Sequence, residues 1–454
     1  MGSLCFLAAS VLAAQDSPQP AGPAARHVVV ISVDGMRASA YMRRSQSVHI
    51  PNIERLLRGG SYAAGVEGVY PTLTYPSHTT LVTGRMPAQH GIYTNLSSRQ
   101  AGKNPGDWFW FSKAIRVPTL WDEARRARLS TAAVSWPVTA GAPIDWNVPE
   151  IWDPQKGEVV DLLYLAKYMN PLFSMEILGA LGAPKAAPAG GDGDGDRVRL
   201  ATYLLKKHRP NLLLVHLAML DNAQHLRGPD SPEAAKTLER MDTHVGELVD
   251  AVNAAGMQAS TDVFLVSDHG FLTLEREVAP NVLLVKAGLL TANEKGVVTG
   301  GSVDTISNGG SMFIYWPPNE DFRGRVDAAL KPLRDQGLVW AVIDRDGLKE
   351  LGADPEAQMA LEAPQGAYFS EYGKGELAAK LAAPAGTHGF LPFRQGLEAS
   401  FIAWGPHIRA GIDLHRIPMT AIAPTILKAL GIDDREFGDQ PPLEEIFKQP
   451  PETR

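Results

Sequence analysis

Apolar residues fill nearly every position in four short stretches of the chain: HVVVISV (27–33), NLLLVHLAML (211–220), DVFLVS (262–267) and ASFIAWG (399–405). An unbroken run of this length, rich in valine and leucine, suits a strand buried on both faces of a parallel sheet. Helical periodicity occupies 51–58, 118–127, 197–207, 232–254 and 419–430. Strands alternating with helices predict the α/β class, a doubly wound, mostly parallel sheet flanked by helices. Residues 275–385 interrupt the alternation with β-type runs (SMFIYWP, LVWAVID), many glycines and a polar middle. They predict a smaller α+β insertion packed on the core. APKAAPAGGDGDGDR (183–197) predicts a flexible connector. Its Asp192, Asp194 and Asp196 resemble the start of a calcium loop, but Arg197 stands where such a loop needs its turn glycine, and Tyr203 where it needs a bidentate glutamate.

Composition narrows the function. The 454 residues are 44% hydrophobic and 20% charged, an ordinary balance for a globular protein with a large core. A net charge of −7 without any basic run argues against coating a nucleic-acid polymer and leaves single nucleotides as candidate ligands. MGSLCFLAASVLAAQDS reads as a secretory signal with cleavage near Ala13 or Ala14, although no Lys or Arg precedes its apolar run. The expected organisation is a signal peptide at 1–14, a Pro/Ala-rich linker at 15–25, one large domain at 26–440 and a tail at 441–454. Such a product would work outside the cytoplasm, periplasmic or secreted, with no membrane span and no obligate protein partner. The only cysteine, Cys5, lies in the signal, so catalysis in the mature chain would rest on oxygen and nitrogen groups.

Three of the apolar runs end in aspartate: Asp34, Asp221 and Asp268. Open parallel sheets bind ligands beyond the carboxyl ends of their strands, so the three carboxylates should converge on one rim. A single aspartate there is commonplace, often a helix cap; three together need cations to neutralise them. Histidines accompany them. Asp221 and His225, in DNAQH, are four apart and share a helical face. Asp268 and His269 are adjacent where the chain leaves the sheet, and His388 lies in AGTHGF, whose glycines admit close backbone approach. Carboxylate and imidazole without thiolate suit zinc, with manganese as the alternative. Six such ligands suit two ions better than one tetrahedral ion.

YPTLTYPSHTTLVTG (70–84) adds five threonines and a serine beside a helix start. Pro76 marks the first turn. Thr74 then sits at a helix N-terminus, where N–H groups and the dipole favour a phosphate or other oxyanion. A hydroxyl beside a bound cation becomes a nucleophile. The plainer alternative is that Thr72, Thr74 and Ser77 only cap the helix.

VVVISVDGMR, YPTLTYPSHTTLVTGRMPAQHGIYTN, LAMLDNAQHLRGP, FLVSDHG, GTHGF and FIAWGP follow in this order over nearly all of 26–430. Together they resemble the nucleotide pyrophosphatase/phosphodiesterase family of the alkaline phosphatase superfamily. The resemblance implies an alkaline phosphatase-like catalytic domain and hydrolysis of phosphodiester or pyrophosphate bonds in a small-molecule or nucleotide substrate, through a phosphothreonine. It implies Thr74 as the nucleophile, one zinc held by Asp34, Thr74, Asp268 and His269, and a second by Asp221, His225 and His388. Asn95, in GIYTN, matches an asparagine that donates to a nonbridging phosphate oxygen. The backbone N–H of Tyr75 would be the other donor, and the Tyr75 ring matches an aromatic that stacks on a nucleobase. The family's usual TFPNH is TYPSH here. Candidates for a second stacking aromatic are the DWFWF cluster (107–111) and Trp152, although aromatic clusters more often fill cores.

Sulfatase chemistry needs a Cys or Ser that can become an aldehyde, and Thr74 with His78 does not supply it. A phosphomonoesterase of the same superfamily is the alternative. A monoester carries a second negative charge and needs further cationic partners, a Lys-x-Arg pair or a third metal in such enzymes. WPVTAGAPIDWNVPEIW (136–152), where that pair is expected, contains no Lys or Arg. A diester is therefore the expected substrate.

Overall fold

The computed structural model describes residues 26–42, 48–97, 107–153, 162–182, 193–317 and 322–448. The expected signal and linker, and the end of the expected tail, lie outside these residues. An eight-stranded sheet organises the rest. Its spatial order is Ile412–Asp413, Ser61–Tyr62, Phe401–Trp404, Thr261–Val266, His27–Val33, Leu212–Leu217, Thr131–Val134 and Trp146–Val148. The last five strands pair in parallel. The class is α/β, with a mostly parallel sheet flanked by helices.

Side-chain alternation along each strand divides the core. Val29, Ile31 and Val33 join Leu213, Val215 and Leu217 on one face, under helices Pro51–Gly59, Gly193–Lys207 and Pro232–Ala254. Val28, Val30, Leu212 and Leu214 face the other way, toward helices Thr74–Thr83, Leu120–Arg126 and Ile422–Ala429. Local signals fix the helix starts. Ser231 caps Pro232–Ala254 by accepting from the Ala234 N–H at 3.1 Å. Thr119 and Asp122 form a reciprocal capping box for Leu120–Arg126.

Two expectations need correction. The second apolar run stops being a strand at Leu217, and Asp221 lies on a separate helix, Met219–Arg227. The fourth run forms Phe401–Trp404, which pairs antiparallel with Thr261–Val266. Phe401 stands opposite Val266 and Trp404 opposite Val263. An antiparallel strand begins at the edge where its parallel neighbours end. That is why His388 precedes its strand whereas Asp34 and Asp268 follow theirs.

Residues 272–387 build three small sheets and a core of their own, with Leu284, Met312, Val326, Leu361 and Phe369 buried together. SMFIYWP and LVWAVID supply the strands Ser311–Tyr315 and Ala341–Asp344. Among the described residues, no helix is long and apolar enough to cross a membrane.

Candidate active site

Val28, Val30 and Ser32 alternate toward the helix Thr74–Thr83: the two valines pack in one cluster with Leu81 and Val82, and Ser32 Oγ meets His78 Nε2 at 2.8 Å. Asp34 lies two residues further, just past the strand, and Asp268 stands in the same relation to Val266. Each carboxylate is tied through one oxygen. Asp268 Oδ1 accepts from the N–H groups of Gly35 (3.1 Å) and His269 (3.0 Å), and Asp34 Oδ2 lies 3.0 Å from His216 Nε2. The second oxygens, Asp34 Oδ1 and Asp268 Oδ2, are buried and accept no hydrogen bond among the described residues. Both approach His269 Nε2, at 3.4 and 3.1 Å. Thr74 Oγ1 is 3.5 Å from the same nitrogen.

The three histidines share a logic. His269 Nδ1 faces the Gly270 carbonyl (3.2 Å), His225 Nδ1 that of Gly386 (3.0 Å) and His388 Nδ1 that of Thr72 (2.8 Å). Each Nδ1–H is thereby used, and the Nε2 lone pair is presented to the site. His225 and His388 bring their Nε2 atoms within 3.1 Å of one another, at 3.5 and 3.6 Å from the two oxygens of Asp221. Phe271 meets His225 and His388 edge-on and His269 at a tilt, supporting all three rings. Gly35 makes this packing feasible: its φ is +70°, and a Cβ there would lie 2.8 Å from Phe271. Gly389, with φ at +82°, lets the His388 loop pass where a Cβ would lie 1.7 Å from the Asn308 carbonyl oxygen.

Electrostatics point to cations. Burial pushes the Asp34 carboxyl well above its usual range, and the charges of Asp268 and Asp221 push it further, against the bond from His216. Burial holds His269 down to about 3 and His388 well below its ordinary value, so both imidazoles are neutral. Two groups of ligand atoms each lie within 4.8 Å of one another: Asp221, His225 and His388, and Asp34, Asp221 and His269. Divalent cations fit this donor set. They supply the partner that the buried carboxylate oxygens lack, and imidazole with carboxylate is a zinc-type set.

The helix Thr74–Thr83 begins without a side-chain cap at Leu73, so the hydroxyls of 70–84 are not there to cap it. Thr72 reaches the other way, donating to the Phe390 carbonyl (3.1 Å) and accepting from the Gly389 N–H (2.9 Å). Thr79 and Thr83 bond the carbonyls four residues back, at 2.8 Å each, which satisfies both hydroxyls on a helix buried from Tyr75 to Thr83. Thr74 alone among these stands partly open, in a cavity it shares with Asp34, Asn95, Asp221 and His388.

Asn95 and Tyr75, expected as two separate phosphate donors, meet each other: the Tyr75 N–H donates to Asn95 Oδ1 at 3.0 Å. This bond turns the Asn95 Nδ2 amide group away from Tyr75. The Tyr75 ring is buried against Trp108, with centroids 5.3 Å apart, and Trp108 packs edge-on to Trp152 at 4.9 Å. Trp108 and Trp152 line the cavity, whereas Trp110 belongs to the core.

Sequence reasoning missed His216, its partner Glu150, and Arg197. His216, inside an apolar strand, lies between Asp34 and Glu150, its Nδ1 2.6 Å from Glu150 Oε2. Burial alone would lower it, but the Glu150 charge and the bonds to both carboxylates hold it well above its ordinary value. A polar residue one position before a strand end was the available signal. Arg197 also lines the cavity. The connector expected over 183–197 is helical from Gly193 onward, and Arg197 pairs there with the buried Asp194 at 2.6 Å. Asp192 lies outside the described residues. The cavity therefore does hold an arginine, contributed by a segment other than 136–152.

The chain matches the family model for type I phosphodiesterase / nucleotide pyrophosphatase over residues 28–391. It is 24% identical over 458 residues to ectonucleotide pyrophosphatase/phosphodiesterase family member 1 of Mus musculus, which covers 96% of this chain and 44% of that protein. It is 26% identical over 263 residues to bis(5'-adenosyl)-triphosphatase ENPP4 of Bos taurus, covering 56% of this chain and 49% of the relative. The chain thus spans less than half the length of these relatives. Its fold resembles that of murine ectonucleotide pyrophosphatase / phosphodiesterase 5, with a TM-score of 0.67 at 19% identity over 93% of this chain and 100% of the other. An inactive form of that murine protein in complex with AMP aligns with a TM-score of 0.64 at 20% identity, over 90% and 96% of the two chains. Because the family match covers most of its length, the chain belongs to the type I phosphodiesterase/nucleotide pyrophosphatase family.

Proposed function

We propose that this protein is a metal-dependent hydrolase of phosphodiester or pyrophosphate bonds in nucleotides or other small phosphoesters. The observation that carries the reading is the convergence of Thr74 Oγ1, Asp34 Oδ1 and Asp268 Oδ2 on His269 Nε2, at a helix N-terminus and beside a cavity that Thr74 and Asp34 line. In this reading Asp34, Thr74, Asp268 and His269 hold one zinc ion, and Asp221, His225 and His388 a second. Ions bound there would lower the pKa of the adjacent hydroxyl and offset the carboxylate charge.

The residues of the chain do the rest. Thr74 Oγ1, as the alkoxide, attacks phosphorus, forming a new P–O bond as the bond to the leaving oxygen breaks. Water then hydrolyses the phosphothreonine and restores the hydroxyl. Asn95, its oxygen fixed by the Tyr75 N–H, offers Nδ2 to a nonbridging phosphate oxygen whose charge grows in the transition state. Trp108 and Trp152 give the cavity an aromatic wall suited to a base or another ester group. A nucleotide substrate is in keeping with the bovine relative, named for bis(5'-adenosyl)-triphosphate cleavage, and with the AMP complex of the murine one. The reading includes an extracytoplasmic site of action.

One observation favours the alternative, a phosphomonoesterase: Arg197 lines the cavity. Its charge is matched by Asp194 at 2.6 Å, which leaves the diesterase as the better reading. The test is hydrolysis by the zinc-loaded protein of bis-p-nitrophenyl phosphate and a nucleotide p-nitrophenyl ester against p-nitrophenyl phosphate. The diesters should show much the higher kcat/KM, and all activity should disappear in chelator. Equal or reversed preference would transfer the conclusion to the monoesterase.

A further inference from the structure

One imidazole ties together the carboxyl ends of four neighbouring strands. His216, 1% exposed, ends the inward row of Leu212–Leu217. Its Nε2 lies 3.0 Å from Asp34 Oδ2, just past His27–Val33. Its Nδ1 lies 2.6 Å from Glu150 Oε2, just past Trp146–Val148, and 3.0 Å from the carbonyl of Ser135, just past Thr131–Val134. Ser135 holds a φ of +53° while directing that carbonyl at the ring, a conformation that a non-glycine residue keeps only where its surroundings fix it. On the nucleophile side, His78 packs edge-on to His216 with centroids 4.5 Å apart. Apart from Asp34, the groups that hold the ring have no part in the proposed chemistry of Thr74.

We propose that His216, backed by Glu150, is a positioning residue that sets which oxygen of Asp34 reaches the metal. The inference rests on the assignment of Asp34 as a ligand. A carboxylate can turn about χ2 and offer either oxygen or both. His216 occupies Oδ2, so Oδ1 is the atom left facing Asp268 Oδ2 and His269 Nε2. The usual arrangement, a histidine ligand oriented by a carboxylate, is extended here: a carboxylate ligand is oriented by a histidine, which a second carboxylate orients in turn. Removing such a partner typically costs 10- to 100-fold in metal affinity.

The test measures metal binding directly. Zinc affinity by chelator competition, and the visible spectrum of the cobalt-substituted protein, are compared for wild type, His216→Leu, His216→Gln and Glu150→Gln. His216→Leu should lose roughly 10- to 100-fold in affinity for one of two ions and leave the other unchanged. His216→Gln, whose amide N–H can still reach Asp34, should recover part of the loss. Glu150→Gln keeps the shape of the site and should shift the cobalt bands and weaken the same ion, which preserves the test if His216→Leu fails to fold. Wild-type affinity and unshifted bands in Glu150→Gln, or in a folded His216→Leu, overturn the inference and leave the functional reading intact. A wild-type protein that binds no divalent cation overturns both.

Discussion

Thr72 and Thr74 stand two residues apart and carry the same side chain, yet their hydroxyls meet different partners. Thr72 is buried and stitches its loop to Gly389 and Phe390, while its carbonyl orients His388. Thr74 heads the helix and faces the buried carboxylates and His269. Thr74→Ala should therefore lose at least ~10³-fold in kcat, since it removes the proposed nucleophile, while retaining metal through Asp34, Asp268 and His269. Thr72→Ala removes the hydroxyl's bonds to the Phe390 carbonyl and from the Gly389 N–H, each worth about 0.5–1.5 kcal/mol, and should lower Tm far more than it lowers kcat. Steady-state kinetics with calorimetry on both variants decides this, and exchanged phenotypes would place the nucleophile at Thr72. The aspartates and histidines of this site were legible in the sequence because each breaks or follows an apolar run, where burial of a charge needs a reason. His216 was not. A lone histidine inside an apolar strand reads as a satisfied core residue, and what sets it apart is Glu150, which lies 66 positions away.

At the scale of elements, the helix Met219–Arg227 carries both Asp221 and His225 but has no side-chain cap of its own at Ala218. Its cap comes from another helix. Asp194 accepts from the N–H groups of Ala218 (3.0 Å) and Met219 (2.9 Å) and is fully buried. A carboxylate there also suits the positive end of the helix dipole. Asp194→Ala should destabilise the protein by about 1–3 kcal/mol through the unsatisfied donors and should weaken metal binding at Asp221 and His225 selectively. Asp194→Asn, which keeps an acceptor, should recover most of the stability. Denaturant titration alongside zinc content measures both effects, and an unchanged zinc content in Asp194→Ala would reduce this residue to a plain cap. The sequence hid the arrangement because GDGDGD is rich in helix breakers, and only tertiary contact with a helix 25 residues later makes helical order there worthwhile. The direction of the strand Phe401–Trp404 escaped notice for a related reason: an apolar run carries no information about which way it runs.

For the molecule as a whole, buried titratable groups set an acid limit on stability. Burial holds His78 and His90 down to about 3, against an unfolded value near ~6.5. His90 shows the cause: its Nε2 meets Thr80 Oγ1, whose own proton goes to the Arg85 carbonyl, and its Nδ1 accepts from the Ile92 N–H. A proton on Nδ1 would face that donor. The unfolded chain takes up these protons between about 6.5 and 3 while the folded one does not, so their contribution is complete above 6.5 and is lost as pH falls. Glu362 has the opposite sign. Burial raises it to about 7, against bonds from the Leu391 N–H, Arg394 and Tyr70. The folded protein keeps that proton where the unfolded chain, with a pKa near ~4.3, has released it, and this contribution is lost as pH rises toward 7. Among these three groups the two histidines oppose the one glutamate across the shared window, and the pair outweighs it as the pH falls toward 5. The Tm should therefore fall as pH drops from 7 to 5, and His90→Gln, which can keep one acceptor and one donor, should show a shallower fall at the same metal loading. Calorimetry of the two proteins over this range measures both slopes. Parallel slopes in the two proteins would mean that His90 is already charged in the folded chain.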